Sequence, residues 1–241
     1  MLLVSSIVDW RAWHNEYTDH DSPLSRRLAV VQQEIRGALA RAPSGQVTVL
    51  SLCAGQADDL IGVLAGHPRA SDVSARLVEL DPQNAAVARQ AAGHAGLDGV
   101  EVLTADASLS DSYRGAVPAD LVLLCGVFGN ISAEDIARTV ACLPMLCASG
   151  ASVIWTRHRH PPDLTPFIRK TFLEHGFTET AFRVSEPFGV GVNRLVSEPQ
   201  PFESGVRLFE FVGFDVLAPA FAAWQGEHTN TGGALGGVTG E

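Results

Sequence analysis

The sequence predicts an α/β protein in which seven strands form a doubly wound, mostly parallel sheet with helices on both faces. Segments with strand and helix patterns alternate five times along the chain, which is typical of parallel sheets with crossover helices. The strand-like segments are almost continuously apolar, as expected for strands that are buried on both faces. Two further strands close the chain, and we expect the last of them to run antiparallel at the sheet edge.

The first helix is predicted over residues 23 to 41, after an irregular segment rich in aromatic and polar residues. Ser22 and Pro23 fit an N-cap and a first helical position. Apolar residues then recur at helical spacing as far as Leu39. We therefore expect an N-terminal cap segment and one helix before the sheet begins.

The stretch VTVLSLCAGQADDL, residues 47 to 60, joins an apolar strand to a small-residue turn and the start of a helix. A turn with little side-chain bulk lets backbone N–H groups approach a ligand closely. The helix is predicted over residues 57 to 66, because glycine, histidine and proline follow at its end.

The following units repeat the strand-then-helix order. Strands are predicted at 75–81, 99–106, 119–126 and 150–158. Helices are predicted from Pro82 to about residue 96, from Ser132 to about Cys147 with a bend at Pro144, and over 163–176.

The closing strands are predicted at 177–186 and 206–214, separated by a loop of about 20 residues that includes Asn193. Beyond Trp224 the chain has too little apolar content to fold alone. We expect one domain over 1–241. Its parts would be the cap segment and helix at 1–41, a cofactor-binding core at 45–160, a closing helix and strands at 161–222, and a flexible tail at 225–241.

Composition narrows the class of partner. A formal net charge of −10 repels phosphate backbones and acidic membranes, so neither nucleic acid nor a membrane is expected. The four cysteines lack metal-ligand spacing, and no metal site is predicted. Because there is no signal-peptide pattern and no long apolar run, the sequence predicts a cytoplasmic protein. The expected partner is a small molecule, and a homodimer is possible.

Two acidic residues at predicted strand ends are the first candidate ligand contacts, because doubly wound sheets bind ligands at the carboxyl ends of their strands. Glu79 stands 24 residues after Gly55, where it can accept hydrogen bonds from ribose hydroxyls. Asp106 can accept one from an exocyclic amine. Asp81 is the alternative to Glu79 as the ribose contact, although an aspartate followed by proline is typical of a helix cap. The alternative for Asp106 is that it only caps the turn that follows it.

Four ordered motifs together resemble the class I S-adenosylmethionine-dependent methyltransferases. The motifs are VTVLSLCAGQADDL, ARLVELDPQNAAVARQA, VEVLTADA and ADLVLLCGVFGNIS, and the resemblance covers about residues 45 to 160. It implies the Rossmann-like methyltransferase fold and S-adenosylmethionine as cofactor. The cofactor-binding residues that it implies are Ala54, Gly55, Gln56, Glu79, Leu80, Asp106, Ala107, Cys125, Gly126 and Val127.

The chain departs from the family pattern in its first motif. Ser51 stands where the family usually has an acidic residue, and Cys53 and Ala57 replace two of three turn glycines. Asp58 and Asp59 are alternative acceptors for the cofactor's ammonium group.

A substrate site is expected at the end of the fifth predicted strand, where histidines and arginines cluster. His158 and His160 are the candidate catalytic residues, since a histidine can take a proton from a hydroxyl near neutral pH. The loop 187–201 and the N-terminal segment are the candidate covers. The residues expected to line the substrate are Trp13, His14, Tyr17, Phe128, Asn130, Arg157 and Arg194.

The sequence therefore predicts methyl transfer to an oxygen or nitrogen of a small molecule. A nicotinamide-dependent oxidoreductase is the first alternative, but a pyrophosphate needs the second and third turn glycines. The other alternative is a catalytically degenerate methyltransferase fold that serves as a binding module.

Overall fold

The centre of the molecule is a seven-stranded sheet with the order β3-β2-β1-β4-β5-β7-β6. The computed structural model describes residue 19 and residues 22–212. Every neighbouring pair of strands is parallel except the two pairs that involve β7. The strands are β1 Val47–Leu52, β2 Val73–Glu79, β3 Val100–Thr104, β4 Ala119–Leu124, β5 Cys147–His158, β6 Phe177–Ser185 and β7 Phe188–Leu195.

Three of the helices begin at the caps that the sequence predicts. Ser22, Asp81 and Ser132 each accept a backbone N–H of the first helical turn through their side-chain oxygens, which satisfies one of the donors that a helix start leaves unpaired. The helices are α1 Pro23–Arg41, α2 Leu60–Leu64, α3 Pro82–His94, α4 Ala133–Cys142 and α5 Thr165–Glu174.

Apolar clusters cover both faces of the sheet, as predicted for a doubly wound fold. On β1, Leu50 and Leu52 belong to one cluster, which also contains Trp155. Val47 and Val49 belong to the other, which includes the buried stripe of α1. Alternate residues of one strand therefore face opposite layers, and polar groups accumulate at the strand ends.

The seventh strand is not where the sequence predicts it. β7 spans Phe188–Leu195, a segment for which the sequence predicts a loop. The sequence predicts the last strand at 206–214 instead. The described part of that segment makes only an isolated antiparallel bridge, between Arg207 and Leu109. Gly189 and Gly191 gave this segment the composition of a loop. In the structure, a Cβ on Gly191 would overlap the indole of Trp155, and one on Gly189 would lie 2.7 Å from Cζ of Phe182.

Several boundaries also differ from the prediction, most of all in two helices. Helix α4 ends at Cys142 and is followed by a 3₁₀ turn at Leu143–Met145, because Pro144 lacks the N–H that a longer α-helix needs. The predicted helix end at Cys147 is wrong, since β5 begins there. Helix α2 is shorter than predicted and begins after Asp59, whose carboxylate accepts the N–H of Leu60.

The segment 204–212, which we call the C-terminal strap, packs on the same face as Trp155. The connection between β3 and β4 contains only a 3₁₀ turn, Ser110–Tyr113, so no α-helix covers the sheet there. Leu208 and Phe209 of the strap are fully buried in that cluster. The strap therefore supplies apolar cover that a crossover helix usually gives.

Two expectations from the sequence fall outside the described residues, namely the aromatic N-terminal segment and the tail at 225–241. Within residues 19 and 22–212, no helix has the length and apolar character to cross a bilayer.

Substituting Gly191 tests the contact between β5 and β7. Gly191→Ala should lower the free energy of unfolding by at least about 2 kcal/mol, because the new methyl group overlaps a fully buried indole. The matched control is Gly93→Ala in α3, where a Cβ meets nothing within 4 Å; it should raise that free energy by about 0.5 kcal/mol. Urea unfolding measures both values. Unchanged stability in Gly191→Ala would contradict the pairing of Trp155 with Gly191.

Candidate functional site

The carboxyl ends of β1, β2, β3 and β4 lie along one edge of the sheet, and the loops that follow them form the candidate site. In this strand order β1 and β4 are neighbours, although β2 and β3 separate them in sequence. The chain therefore reverses its winding direction between them, and such a switch point is where doubly wound sheets bind ligands. The predicted cofactor-binding residues all follow these strand ends.

The turn after β1 has the backbone of a three-glycine turn with only one glycine. Cys53, Gly55 and Ala57 have φ angles of 54°, 59° and 60°. The left-handed region costs a residue with a Cβ roughly 1–2 kcal/mol, so the surrounding structure holds Cys53 and Ala57 in strained conformations. Burial, together with the nearby carboxylates, raises the pKa of the Cys53 thiol well above its usual range, which keeps it neutral.

Glu79 ties this turn to the turn after β2. Its Oε2 accepts the N–H of Gly55 at 2.7 Å, and its Oε1 accepts the N–H of Asp81 at 2.8 Å. Asp81 caps α3 instead, because its Oδ1 accepts the N–H of Gln83 at 2.7 Å. The structure therefore separates the two acids in the way the sequence favours. Each carboxylate oxygen of Glu79 has a further lone pair for a ligand.

Asp106 is fixed by contacts within its own loop. Its Oδ1 accepts both the N–H and the hydroxyl of Ser108, at 2.9 and 2.6 Å. The hydroxyl of Tyr113 donates to the carbonyl of Ala107 at 2.6 Å. Asp106 is therefore a turn cap through Oδ1, while its Oδ2 faces the guanidinium of Arg207 at 3.6 Å.

The loop after β4 is held by backbone and side-chain contacts to β5 and to itself. The Gly126 N–H donates to Oγ1 of Thr156 at 2.9 Å, and the Asn130 amide donates to the Gly126 carbonyl at 2.6 Å. Val127 and Phe128 are fully buried, so their side chains belong to the core. The Phe128 ring packs against Trp155 and Phe172 in the core, and its contact with the substrate stays a prediction.

Asp59 and Arg27 are a buried acid and a buried cation near the turn that follows β1. Burial raises the pKa of Asp59, and hydrogen bonds from the Leu60 N–H and the Cys125 thiol oppose that rise. Arg27 of α1 is 6% exposed, and its guanidinium lies 4.9 Å from the ring centroid of Phe188. Arg27 is not among the predicted site residues, although a charged residue on the apolar stripe of α1 is a signal for one.

The end of β5 holds Arg157, which was predicted to line the substrate, and His158, which was predicted to be catalytic; Arg157 is buried and His158 is half-buried. Arg157 is 5% exposed, and its Nη1 donates to the Phe128 carbonyl; burial lowers its pKa to about 10. Burial also lowers the pKa of His158 to about 4, and the charges of Arg157 and His160 act in the same direction. His158 is therefore a neutral imidazole at pH 7, with its ring centroid 5.8 Å from that of the exposed His160.

Arg194 does not reach this edge. It pairs with Ser152 near the beginning of β5, and its Nε donates to the Gly150 carbonyl at 3.2 Å. Because β7 runs antiparallel to β5, the first residue of β7, Phe188, lies at the site edge of the sheet. Arg194, near the end of β7, therefore lies at the opposite edge. The predicted cover loop 187–201 is mostly this strand, and Trp13, His14 and Tyr17 lie outside the described residues.

Comparison with known proteins identifies the architecture. No family model matches the sequence, and no curated protein matches it. Among solved structures, an O-methyltransferase family protein from Burkholderia thailandensis is similar with a TM-score of 0.61 and 20% identity, over 80% of this chain and 62% of that one. Magnesium protoporphyrin IX methyltransferase (ChlM) from Synechocystis PCC 6803, solved with bound S-adenosylmethionine, is similar with a TM-score of 0.60 and 14% identity, over 79% of this chain and 92% of that one.

A third similar structure is the CurJ carbon methyltransferase, with a TM-score of 0.53 and 14% identity over 70% of this chain and 54% of that one. In this chain the two pairings that involve β7 are antiparallel and all other pairings are parallel, and the fold predicted from the sequence is confirmed. The chain has the Rossmann-like fold of the class I S-adenosylmethionine-dependent methyltransferases.

Proposed function

We propose that this protein binds S-adenosylmethionine and transfers its methyl group to an oxygen or nitrogen of a small molecule. The observation that carries the proposal is the Glu79 carboxylate, which lies at the end of β2 and accepts the N–H of Gly55 in the turn that borders the β1–β4 switch point. A carboxylate in that place can also accept hydrogen bonds from both hydroxyls of a ribose. S-Adenosylmethionine is bound in the ChlM structure with the similar fold.

The described residues fit the nucleoside part of this cofactor. Leu80 directly follows Glu79 and is 66% exposed, so it offers an apolar surface at the site to a flat base. Asp106 presents Oδ2, whose partner Arg207 lies beyond normal hydrogen-bond distance. The small side chains of Ala54 and Gly55 leave the turn open to the rest of the cofactor. We assign Glu79 to the ribose and Asp106 to the adenine amine.

The amino-acid part of the cofactor meets a different set of groups from the usual one. Ser51 is 2% exposed and carries no charge, so it cannot replace an acid as an ionic partner for an ammonium group. Asp59 is the buried acid beside the turn, and Arg27 contributes the opposite charge. We propose Asp59 as the acceptor for the ammonium group and Arg27 as the partner for the carboxylate.

The bound cofactor would supply an electrophilic methyl carbon on a sulfonium. The chain would contribute alignment, which is sufficient for much of the rate of a methyl transfer, and a proton acceptor. His158 is neutral at pH 7 and is the proposed acceptor of the proton that a hydroxyl or amine loses when it is methylated. Because burial lowers its pKa to about 4, it is a weak base, and the rate would depend mainly on alignment. Asn130 lies on the loop after β4 and Arg157 precedes His158 on β5; these two residues are the proposed substrate contacts.

The two alternatives predict different ligands. A nicotinamide dinucleotide carries a pyrophosphate, which the backbone of the turn must approach closely. Two of the turn positions carry the side chains of Cys53 and Ala57 here. This arrangement disfavours an oxidoreductase. A binding module with the same fold would bind neither cofactor.

Calorimetric titration with S-adenosylhomocysteine and separately with NAD⁺ and NADH tests the proposal. Binding of S-adenosylhomocysteine alone is the expected result. Binding of a nicotinamide nucleotide alone would favour the oxidoreductase, and no binding at millimolar concentration would favour the binding module.

Replacing Glu79 should weaken cofactor binding. Glu79→Ala removes an acceptor for the ribose and leaves the Gly55 and Asp81 N–H groups without their partner, so we expect a loss of about 1–3 kcal/mol in the affinity for S-adenosylhomocysteine. Calorimetry on folded protein measures it, after circular dichroism has verified folding. The control is Asp81→Asn, which retains a capping side chain and should leave affinity within about twofold. Equal losses in the two variants would contradict the assignment of the ribose to Glu79.

The buried His158 should make the fold less stable in acid. Burial lowers the pKa of His158 to about 4 in the folded protein, below the ordinary histidine value of about 6.5. The unfolded chain therefore binds the proton first, and stability falls as the pH drops from about 6.5 towards 4. After a discount for partial exposure, His158→Gln should remove about 1–2 kcal/mol of the difference in unfolding free energy between pH 7.5 and pH 4.5. Urea unfolding at both pH values measures this, and His94→Gln, at an exposed helix end, should keep the wild-type difference. The same pH dependence in His158→Gln and wild type would show that His158 is not buried as a neutral ring.

A further inference from the structure

We propose that Arg207 positions Asp106 for the exocyclic amine of the adenine, and that the C-terminal strap thereby forms one wall of the cofactor site. This inference rests on the proposed function, because it concerns the same nucleoside pocket. Arg207 belongs to none of the motifs that resemble the methyltransferases. The geometry around Asp106 brings it to the site.

Only one oxygen of Asp106 is left for a ligand. Oδ1 accepts two hydrogen bonds from Ser108, at 2.9 and 2.6 Å, which is the usual capacity of a carboxylate oxygen. The hydroxyl of Ser112 holds the Asp106 carbonyl at 2.7 Å. The backbone and one carboxylate oxygen are therefore fixed, and the ligand-binding direction depends on what faces Oδ2.

Arg207 faces that oxygen and is itself held in place. Its guanidinium lies 3.6 Å from Oδ2 of Asp106, while its Nη1 donates to Oγ of Ser108 at 2.8 Å. The three side chains form a closed set in which Ser108 contacts both charged groups. The distance to Oδ2 exceeds that of a normal hydrogen bond, so Arg207 can attract the carboxylate while a lone pair remains for an amine.

The strap that carries Arg207 is bonded to the Asp106 loop on both sides of the arginine. The Leu208 N–H donates to the Ser108 carbonyl at 2.8 Å, and the Ser110 N–H donates to the Val206 carbonyl at 2.9 Å. The Val206 N–H donates to Oγ of Ser110 at 3.0 Å. These bonds fix the backbone of Arg207 relative to Asp106, which a surface ion pair between two long side chains could not do alone.

The charge of Arg207 also matters because another acid is near. Glu210 lies 4.0 Å from the Arg207 Nε through its Oε1, so the guanidinium lies close to two carboxylates. If the Arg207 guanidinium were removed, Asp106 would lose its attractive partner. Its Oδ2 would then be free to turn away from the adenine amine. The loss should therefore be specific to ligands that carry the amine.

The test compares two ligands with four proteins. S-Adenosylhomocysteine and its 6-deamino purine analogue, which lacks the exocyclic amine, are titrated into wild type, Arg207→Gln, Asp106→Asn and the double variant. Arg207→Gln should weaken binding of S-adenosylhomocysteine about fivefold and binding of the analogue less than about twofold. The substitution should add no further loss to Asp106→Asn, because Arg207 acts through Asp106.

Two further variants distinguish positioning from a merely structural role. Arg207→Lys keeps the positive charge and should recover part of the affinity for S-adenosylhomocysteine. Arg194→Gln removes an arginine at the opposite edge of the sheet and should change neither affinity. Thermal unfolding without ligand identifies any general loss of stability, which would weaken both ligands equally.

The outcomes separate the two proposals. Equal weakening of both ligands, an unchanged affinity in Arg207→Gln, or tighter binding in that variant would overturn the role of Arg207 while the cofactor assignment stands. If wild type binds neither S-adenosylhomocysteine nor the analogue, the proposed function itself fails, and the inference fails with it.

Discussion

The rest of the site depends on the Glu79 carboxylate, which accepts a backbone N–H from each of two neighbouring turns. One turn follows β1 and includes Gly55; the other follows β2 and includes Asp81. Glu79 is only 9% exposed, and hydrogen bonds to a charged acceptor in such a setting are stronger than those between neutral groups. This tie sets the distance between the two strand ends and leaves the carboxylate beside the space where a nucleoside would lie.

The tie also explains how the first turn tolerates residues that do not suit it. Cys53 and Ala57 occupy left-handed conformations that glycine adopts without strain. Strand β1, which leads into the turn, pairs with β2 and β4. Within the turn, the Ala54 N–H donates to the Val78 carbonyl at 3.0 Å, and the Gly55 N–H donates to the Glu79 carboxylate. The surroundings therefore determine the backbone path, and the strain is stored where the ligand site is, as strained residues often are.

The C-terminal strap contacts both the apolar core and the loop that carries Asp106. Leu208 and Phe209 bury apolar side chains over a sheet face where the crossover from β3 to β4 has only a 3₁₀ turn. The same segment brings Arg207 to Asp106. One stretch of chain thus covers the core and reaches Asp106, which we propose as an adenine contact, so we expect changes in the strap to alter both stability and ligand binding.

Local patterns were sufficient to predict the fold class and the first strands and helices. Ser22, Asp81 and Ser132 were found as caps because capping depends on residues only a few positions apart, and the strand-end acids were found because β–α units repeat along the chain. The seventh strand and the strap were not found. Trp155 packs over Gly191 within the β5–β7 pairing, and Ser108 and Asp106 contact Arg207 at the edge of the candidate site. Those contacts join residues far apart in sequence, so the sequence determined the order and type of most elements, while only tertiary packing decided which segment closes the sheet and which side chains complete the site.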